Sequence, residues 1–322
     1  MAYRFKRREP VVDGVLRIVR AQTASALRAL GPSFDDDPVQ AVFESRKRCK
    51  KVRAAALLVR PVVGSDYATV NRCFRQAGGL LAVYREPHAR LETVVKLMTL
   101  TENPPQQLSV IRAELERQVE ANTRRLLEDD DLVGRVEELL QVGMLRFDRW
   151  QIAETDWDVL SPGLADNYRE GRGALKLALD EPNPQNLHEF RKYAKYTRNH
   201  LRLIEPAAPS LLTPLVTQLR HLGDGLGDAH DLAELSAALD ASTEVSFGAE
   251  TGTTLSQPEL EQVTSFIAEH QQRLENNSMT LAVRLYVESP KRFAARLGSY
   301  WKLWRTGGSE RNPFWPLDVP TT

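Results

Sequence analysis

Cysteine is almost absent from this chain, because only Cys49 and Cys73 occur among its 322 residues. Two cysteines cannot build a disulfide framework, and neither stands in the CxxC spacing that indicates a zinc site. No apolar run reaches the length of a membrane span, and the basic start MAYRFKRREP is not followed by the apolar stretch of a signal peptide. We therefore expect a cytoplasmic protein with reduced thiols and no part in a membrane.

Net charge is also absent, since 43 basic and 43 acidic residues cancel. This balance argues against diffuse attraction to nucleic acid or to a membrane surface. Aromatic residues make up only 7% of the chain, and no stacking platform for bases stands out. Any site for an anion must therefore be local. The 42% of hydrophobic residues is enough for a substantial core.

Strand patterns are nearly missing, and apolar residues recur at helical spacing almost throughout. The sequence predicts an all-α fold. Proline, glycine and Asx residues give helix boundaries at about 11–30, 38–60, 66–85, 87–101, 106–128, 131–147, 162–179, 184–205, 209–227, 229–241, 258–278 and 287–304. We predict one domain over 1–322, divided into a first helical bundle (10–147), a connection (148–161), a second bundle (162–305) and an extended C-terminal tail (306–322).

Two segments repeat one another: VFESRKRCKKVRAAALLVRP at 42–61 and LHEFRKYAKYTRNHLRLIEP at 187–206. The offset is 145 residues, from Phe43 to His188, and the register continues through the pair Arg75 and Arg220 as far as Leu81 and Leu226. A repeat kept in register indicates two similar structural units from an internal duplication. Each unit would present the same basic helix face.

The repeated cations share one side of each helix. In the second copy they fall within an arc of about 120°, with apolar side chains opposite. Like charges at i, i+3 and i+4 repel one another, and an extended polyanion would relieve that repulsion. Arginine gives forked hydrogen bonds to phosphate oxygens, and lysine acts as a point charge. Two basic faces in one chain favour a single large anion held between them.

The second copy, LHEFRKYAKYTRNHLRL, resembles the signature of the CHAD family, the conserved-histidine α-helical domain. LRHLGDGLGDAHDL at 219–232 is similar to the next helix of that family, and the segments MAYRFKRREPVVDGVLRIV and NYREGRGAL (167–175) resemble the openings of its two halves. The resemblance implies two four-helix bundles related by pseudo-twofold symmetry around a basic central groove or channel. It also implies binding of inorganic polyphosphate without catalysis, at polyphosphate granules in the cytoplasm.

The resemblance implies no cofactor, no metal and no catalytic residue. It assigns polyphosphate binding to twelve residues: Arg46, Lys47, Lys50, Arg53, Arg75, His188, Arg191, Lys192, Lys195, Arg198, Arg202 and Arg220. The first copy departs from the second at two positions, where Phe43 and Leu57 stand in place of His188 and Arg202. Arg85, at the position of His230, is a candidate compensation.

Two other functions remain open at this stage. A metal-dependent phosphohydrolase or phosphotransferase would need carboxylates converging on Mg²⁺ or Mn²⁺, and Glu44 and Glu189 lie off the basic arcs. A protein that binds nucleic-acid backbones would be expected to carry a recognisable module or a basic charge balance. The sequence leaves the oligomeric state open.

A glycine triplet and one further histidine also have a predicted role. The triplet Gly223-x-Gly225-x-Gly227 is interpreted as a tight corner between two helices, capped by Asp228. His200, at the edge of the basic arc, is a further candidate to touch phosphate.

Overall fold

The computed structural model describes residues 3–32, 34, 36–241 and 255–307. Within these ranges the chain forms twelve α-helices and no strand, which confirms the all-α prediction. The helices are α1 (Val11–Ala29), α2 (Pro38–Leu58), α3 (Arg60–Val63), α4 (Asp66–Leu80), α5 (Ala82–Leu100), α6 (Gln107–Leu127), α7 (Asp130–Phe147), α8 (Trp157–Asp180), α9 (Pro184–Ile204), α10 (Pro209–Ala241), α11 (Gln257–Leu285) and α12 (Pro290–Thr306). A short 3-10 helix, Glu205–Ala207, follows α9.

The two basic helices, α2 and α9, begin in the same way. Asp37 accepts a hydrogen bond from the Gln40 N–H at 3.0 Å, and Asn183 accepts one from the Asn186 N–H at 2.9 Å. Each cap is followed by a proline at the first helical position, where no N–H is needed. Both helices are 21 residues long. The predicted starts are confirmed, and the internal duplication that they suggest stays a prediction.

The larger core lies around these two helices. α2 packs against α1 and α4, and α4 packs against α7. α9 packs against α8 and α10, while α12 covers α8. The faces opposite the cations are buried as predicted: Cys49 and Val52 on α2, and Phe190, Ala194 and Leu201 on α9. α2 and α9 also contact one another directly, so the two basic helices meet inside the fold.

A second, smaller core joins α5 and α6 to the later part of α10 and to α11, through residues such as Leu97, Ile111, Leu235 and Val263. Both cores combine residues from the two halves of the chain. Packing alone therefore does not separate the units 10–147 and 162–305, and that division stays a prediction.

The predicted break between helices at 209–227 and 229–241 is wrong, because α10 runs without interruption for 33 residues. The three glycines at 223–227 serve side-chain packing instead of a turn. A Cβ on Gly225 would lie 2.6 Å from Ser278 Oγ on α11, and one on Gly227 would lie 3.1 Å from a guanidinium nitrogen of Arg191. Absence of a side chain at these positions brings α11 and α9 close to α10.

Helix α8 begins at Trp157, five residues before the predicted start at Pro162. α5 likewise begins at Ala82 and includes Pro87, and α11 continues to Leu285. Pro162 in α8 and Pro87 in α5 both lie in the second turn of their helix, so each missing N–H removes a single hydrogen bond near the N-terminus of the helix. The tail expected from 306 lies outside the described residues beyond Gly307, and the expected loop at 243–257 lies largely outside them. None of the described helices combines the length and apolar character needed to cross a bilayer.

Candidate anion-binding site

A buried histidine joins the two basic helices. The Nε2–H of His200 on α9 donates a hydrogen bond to the carbonyl of Ala54 on α2, at 2.9 Å. His200 is 0% exposed, and burial lowers the pKa of its imidazole to about 4. The residue is therefore neutral and inaccessible to a ligand. The provisional assignment of His200 to phosphate binding is wrong, and its role is to fix α9 against α2.

This histidine should make the protein sensitive to acid. Its pKa is about 4 in the folded chain and about 6.5 when unfolded, so the unfolded state takes up the proton first. The contribution of His200 to stability is complete above pH 6.5 and declines as the pH falls towards 4. Between pH 8 and pH 5 we expect the wild type to lose about 2 kcal/mol more unfolding free energy than His200→Gln. Urea denaturation at the two pH values measures the difference, and parallel losses would contradict it.

Beside this contact, Lys50 of α2 and Lys195 of α9 approach one another. Burial, followed by the charges of Arg191 and Lys50, lowers the pKa of Lys195 to about 7. Burial, followed by the charges of Arg46 and Arg191, lowers the pKa of Lys50 to about 8. Lys50 is exposed and Lys195 is half-buried, so solvent and a dissolved anion can reach both ammonium groups. The two basic faces thus meet in one place.

Helix α10 makes room for this arrangement. A Cβ on Gly223 would lie 3.7 Å from Lys195 Cγ, and one on Gly227 would lie 3.1 Å from Arg191. Gly223 and Gly227 are one turn apart, so they share a face of α10. The long side chains of Lys195 and Arg191 lie over this face. The glycines that had indicated a corner in the sequence form part of the site.

Three aspartates of α10, missed in the sequence, also surround the site. The charges of Asp231, Asp228 and Asp224 partly offset the burial that lowers the pKa of Arg191. None forms an ion pair with Arg191 in the described part of the chain, and Asp228 pairs with Lys96 of α5 instead. Their spacing at i, i+4 and i+7 could have shown that they share a helix face. They moderate the repulsion among the cations without neutralising it.

The basic surface continues along α9 through Arg191, Arg198 and Arg202, and Arg220 of α10 lies near it. Burial lowers the pKa of Arg198, and the nearby charges of Arg202 and Arg220 lower it further. The Nε atoms of Arg191 and Arg198 are buried without a hydrogen-bond partner among the described residues. Such a group costs free energy unless a partner arrives. We call Lys50, Arg191, Lys195 and Arg198 the central cation cluster.

Other predicted cations already have protein partners. Arg46 donates to the Gly78 carbonyl, and Arg53 Nε donates to Asn71 Oδ1 at 2.9 Å. Lys47 pairs with Glu44 at 2.7 Å, and Lys192 pairs with Glu189. Glu44 and Glu189, at matching positions of the repeat, thus each neutralise the lysine three residues later.

Arg75 is exposed on α4. No hydrogen bond or ion pair joins it to another predicted site residue within the described ranges. The assignment of Arg75 to the site stays a prediction.

Where the second copy of the repeat has a pair of histidines, the first copy has a contact between a phenylalanine and an arginine. In the second copy the rings of His188 and His230 lie 5.0 Å apart. Their counterparts are Phe43 and Arg85, and the Arg85 guanidinium lies 5.5 Å from the Phe43 ring while also pairing with Glu92. Burial lowers the pKa of both histidines, with Arg191 adding to the shift. Arg85 thus contacts Phe43 and Glu92, while its Nη1 is buried without a partner among the described residues, and its role as a compensation stays a prediction.

The sequence model of the CHAD domain family matches residues 17–240, which is more than half of the chain. The chain belongs to the CHAD family. The solved structure of PptA from Streptomyces chartreusis is similar, with a TM-score of 0.58 and 18% sequence identity, covering 87% of this chain and 100% of that one. At this identity the likeness shows a shared fold. No curated protein matches significantly.

The chemistry available to this CHAD domain follows from its cations. No group of three or more His, Cys, Asp or Glu side chains that could hold a metal ion occurs among the described residues. The cluster offers ammonium and guanidinium groups, which donate hydrogen bonds and attract anions. An anion with several charged oxygens is the ligand class that suits it.

Proposed function

We propose that this CHAD protein binds inorganic polyphosphate non-catalytically, with the central cation cluster as the main contact. The observation that carries the proposal is the meeting of Lys50, Arg191 and Lys195 in one place, where the charge of Arg191 lowers the pKa of both lysines and the charge of Lys50 lowers that of Lys195. Membership of the CHAD family supports the same ligand, since polyphosphate binding is what the family resemblance implies. Association with polyphosphate granules is part of the proposal.

A polyanion suits this cluster better than a single small anion. Like charges brought close together oppose folding, and the attraction of each cation to a bound anion offsets that repulsion. A long chain places several phosphates against Lys50, Lys195 and the arginines of α9 at once, so that the contacts reinforce one another. Because much of this attraction is between charges near solvent, it weakens as salt is added.

Calorimetric titration with polyphosphate of defined length tests the proposal. We expect saturable binding that weakens steeply with added salt and does not require a divalent cation. Phosphate release is measured on the same samples with Mg²⁺, with Mn²⁺ and with a chelator, and no release is expected. Metal-dependent release would favour a phosphohydrolase. Displacement of polyphosphate by single-stranded RNA at equal phosphate concentration would favour a nucleic-acid backbone site.

Binding should also depend on pH. In the free protein the pKa of Lys195 is about 7, so the side chain is largely neutral at pH 9. An anion stabilises the ammonium form, so Lys195 takes up a proton on binding, and affinity falls as the pH rises. We expect a loss of about tenfold or more between pH 6 and pH 9. The facing groups are Lys50, Arg191, Asp224 and Asp231, and Lys50, with a pKa of about 8, loses charge over the same pH range.

The matched variant is Lys195→Arg, which keeps its charge over the whole range. Its affinity should fall less between pH 6 and pH 9, and it should take up fewer protons in buffers of different ionisation enthalpy. An identical pH profile for wild type and Lys195→Arg would show that Lys195 does not contact the ligand.

A further inference from the structure

A second basic pocket lies outside the central cation cluster, where the N-terminal segment meets α1, α2 and α9. Its volume is about 240 Å³, which is enough for several water molecules or for a phosphate group. The lining includes Tyr3, Arg4, Gln22, Arg48, Lys51 and Arg202. Glu205 contributes a carboxylate to the same lining. Four cations therefore surround this cavity, which we call the Tyr3 pocket.

The N-terminal segment that forms one wall is fixed in place. Tyr3 is buried, and its hydroxyl donates to the Lys51 carbonyl at 3.0 Å. The Phe5 N–H donates to the Leu203 carbonyl at 2.9 Å, and Arg17 donates to the Arg4 carbonyl at 3.0 Å. These bonds hold the pocket open before any ligand arrives, so little ordering is needed on binding.

Three of the four cations of the pocket, Arg4, Lys51 and Arg202, have no ion-pair partner among the described residues, and the fourth, Arg48, is paired. The Tyr3 ring lies 5.5 Å from the Lys51 ammonium and 5.8 Å from the Arg202 guanidinium. Arg48 donates to the buried side chain of Gln22 at 3.2 Å and pairs with Glu44 at 2.9 Å, yet its Nε is buried without a partner in the described ranges. Burial, then the charges of Arg48 and Arg202, lowers the pKa of Lys51 to about 8.

Arg202 connects the pocket to the central cation cluster. It lies one helical turn, about 6 Å, beyond Arg198, and its charge acts on Arg198. The repeat supplies no second pocket of this kind. At the offset of 145 residues, the counterparts of Arg48 and Lys51 are Tyr193 and Tyr196, and Leu57 stands opposite Arg202. Among the described residues, the basic pocket therefore lies at the C-terminal end of α9 and has no equivalent in the first copy of the repeat.

We propose that the Tyr3 pocket binds a terminal phosphate group, either the end of a polyphosphate chain that lies along the central cation cluster or a free phosphate anion. A terminal phosphate carries about −1.5 to −2 charges near neutral pH, as phosphate monoesters do, whereas an internal phosphate of the chain carries one. A cavity with four surrounding cations suits the more highly charged group. Only the chain-end source rests on the proposed function, because the pocket's chemistry stands independently of it.

The test compares the full-length wild type with Lys51→Met, Lys195→Met and the surface control Lys302→Met. Lys302 is exposed on α12, far in sequence from both sites. Calorimetry measures three ligands: pyrophosphate, short polyphosphate with free ends, and the same polyphosphate with both terminal phosphates converted to alkyl phosphoramidates. The methionine substitution keeps the apolar stem of lysine, so circular dichroism and thermal melting should be unchanged.

We expect Lys51→Met to weaken pyrophosphate binding about fivefold to tenfold, the equivalent of one charge-assisted contact, and Lys302→Met to leave it unchanged. The wild type should bind free-ended polyphosphate more tightly than the end-blocked form. That preference should persist in Lys195→Met, with weaker binding of both forms, and should disappear in Lys51→Met.

Each alternative result is decisive. Equal affinity of the wild type for free-ended and blocked chains, with pyrophosphate binding that depends on Lys51, would overturn chain-end binding and favour a free anion. Pyrophosphate binding that is the same in Lys51→Met and wild type would overturn the pocket assignment altogether. Failure of the wild type to bind any polyphosphate would overturn the proposed function, while Lys51-dependent binding of pyrophosphate would still support the pocket.

Discussion

Replacing Arg191 and Arg198 together by alanine is expected to weaken polyphosphate binding by roughly 30-fold, and replacing Arg46 and Arg53 by much less. The estimate takes about 1 kcal/mol for each lost charge-assisted contact, summed because both act on one ligand. Arg191 and Arg198 have buried Nε atoms without partners in the described part of the protein. Arg46 and Arg53 already donate to Gly78 and Asn71, so a ligand must compete with those bonds.

The two pairs occupy matching positions of the repeat, so each is the control for the other. Alanine favours helix and the replaced side chains are not core, so the helical signal in circular dichroism should be unchanged in both. Titration with the same polyphosphate at two salt concentrations gives the comparison. Equal losses would remove the asymmetry between the two halves. No loss from either pair would mean that these faces are simply solvated surface.

Gly163→Ala is expected to lower the unfolding free energy by about 3 kcal/mol or more, because α8 touches the backbone of α2 at this residue. A Cβ at Gly163 would lie 1.7 Å from the Leu58 carbonyl oxygen and 2.5 Å from its carbon. A backbone carbonyl cannot turn aside as a flexible side chain can, so the two helices would have to separate. The contact fixes the end of the basic helix α2.

Gly173 on the same helix is the matched control, since a Cβ there meets nothing within 4 Å. Gly173→Ala should stabilise the protein by roughly 0.5–1 kcal/mol, because alanine has the higher helix propensity. Urea denaturation of both variants measures the difference. Similar stabilities for Gly163→Ala and Gly173→Ala would contradict the close approach of α8 and α2.

The sequence was most informative where local chemistry decides the structure. Asp37-Pro38 and Asn183-Pro184 predicted the starts of α2 and α9, and the spacing of their cations predicted which faces would be polar. The break predicted within α10 failed because glycines were interpreted by their local flexibility. In the folded chain Gly223 and Gly227 leave room for the side chains of Lys195 and Arg191 to pack against α10. That role depends on α9, a separate helix, and cannot be predicted from the local sequence.

Contacts between distant segments could not be predicted from local patterns. His200 lies at the edge of the polar face of α9 in the sequence pattern. It is nevertheless buried, because α2 packs over it and the Ala54 carbonyl accepts a hydrogen bond from its N–H. The Tyr3 pocket depends on a contact between Tyr3 and Lys51, which are 48 residues apart in the sequence, and Lys51 lies outside the basic arc of α2. Likewise, only the fold shows that Lys47 and Lys192 form ion pairs, whereas Lys50 and Lys195 form none with the residues that the structure describes.

The most direct test of the central claim is a crystal structure of the protein with polyphosphate bound. The account predicts one chain whose phosphates contact both Lys50 and Lys195, continuing past Arg198 to Arg202. The same crystals should show His200 still bonded to Ala54 and out of contact with the ligand. Phosphates bound to α2 and α9 on separate outer surfaces, with Lys50 and Lys195 free of contact, would contradict it.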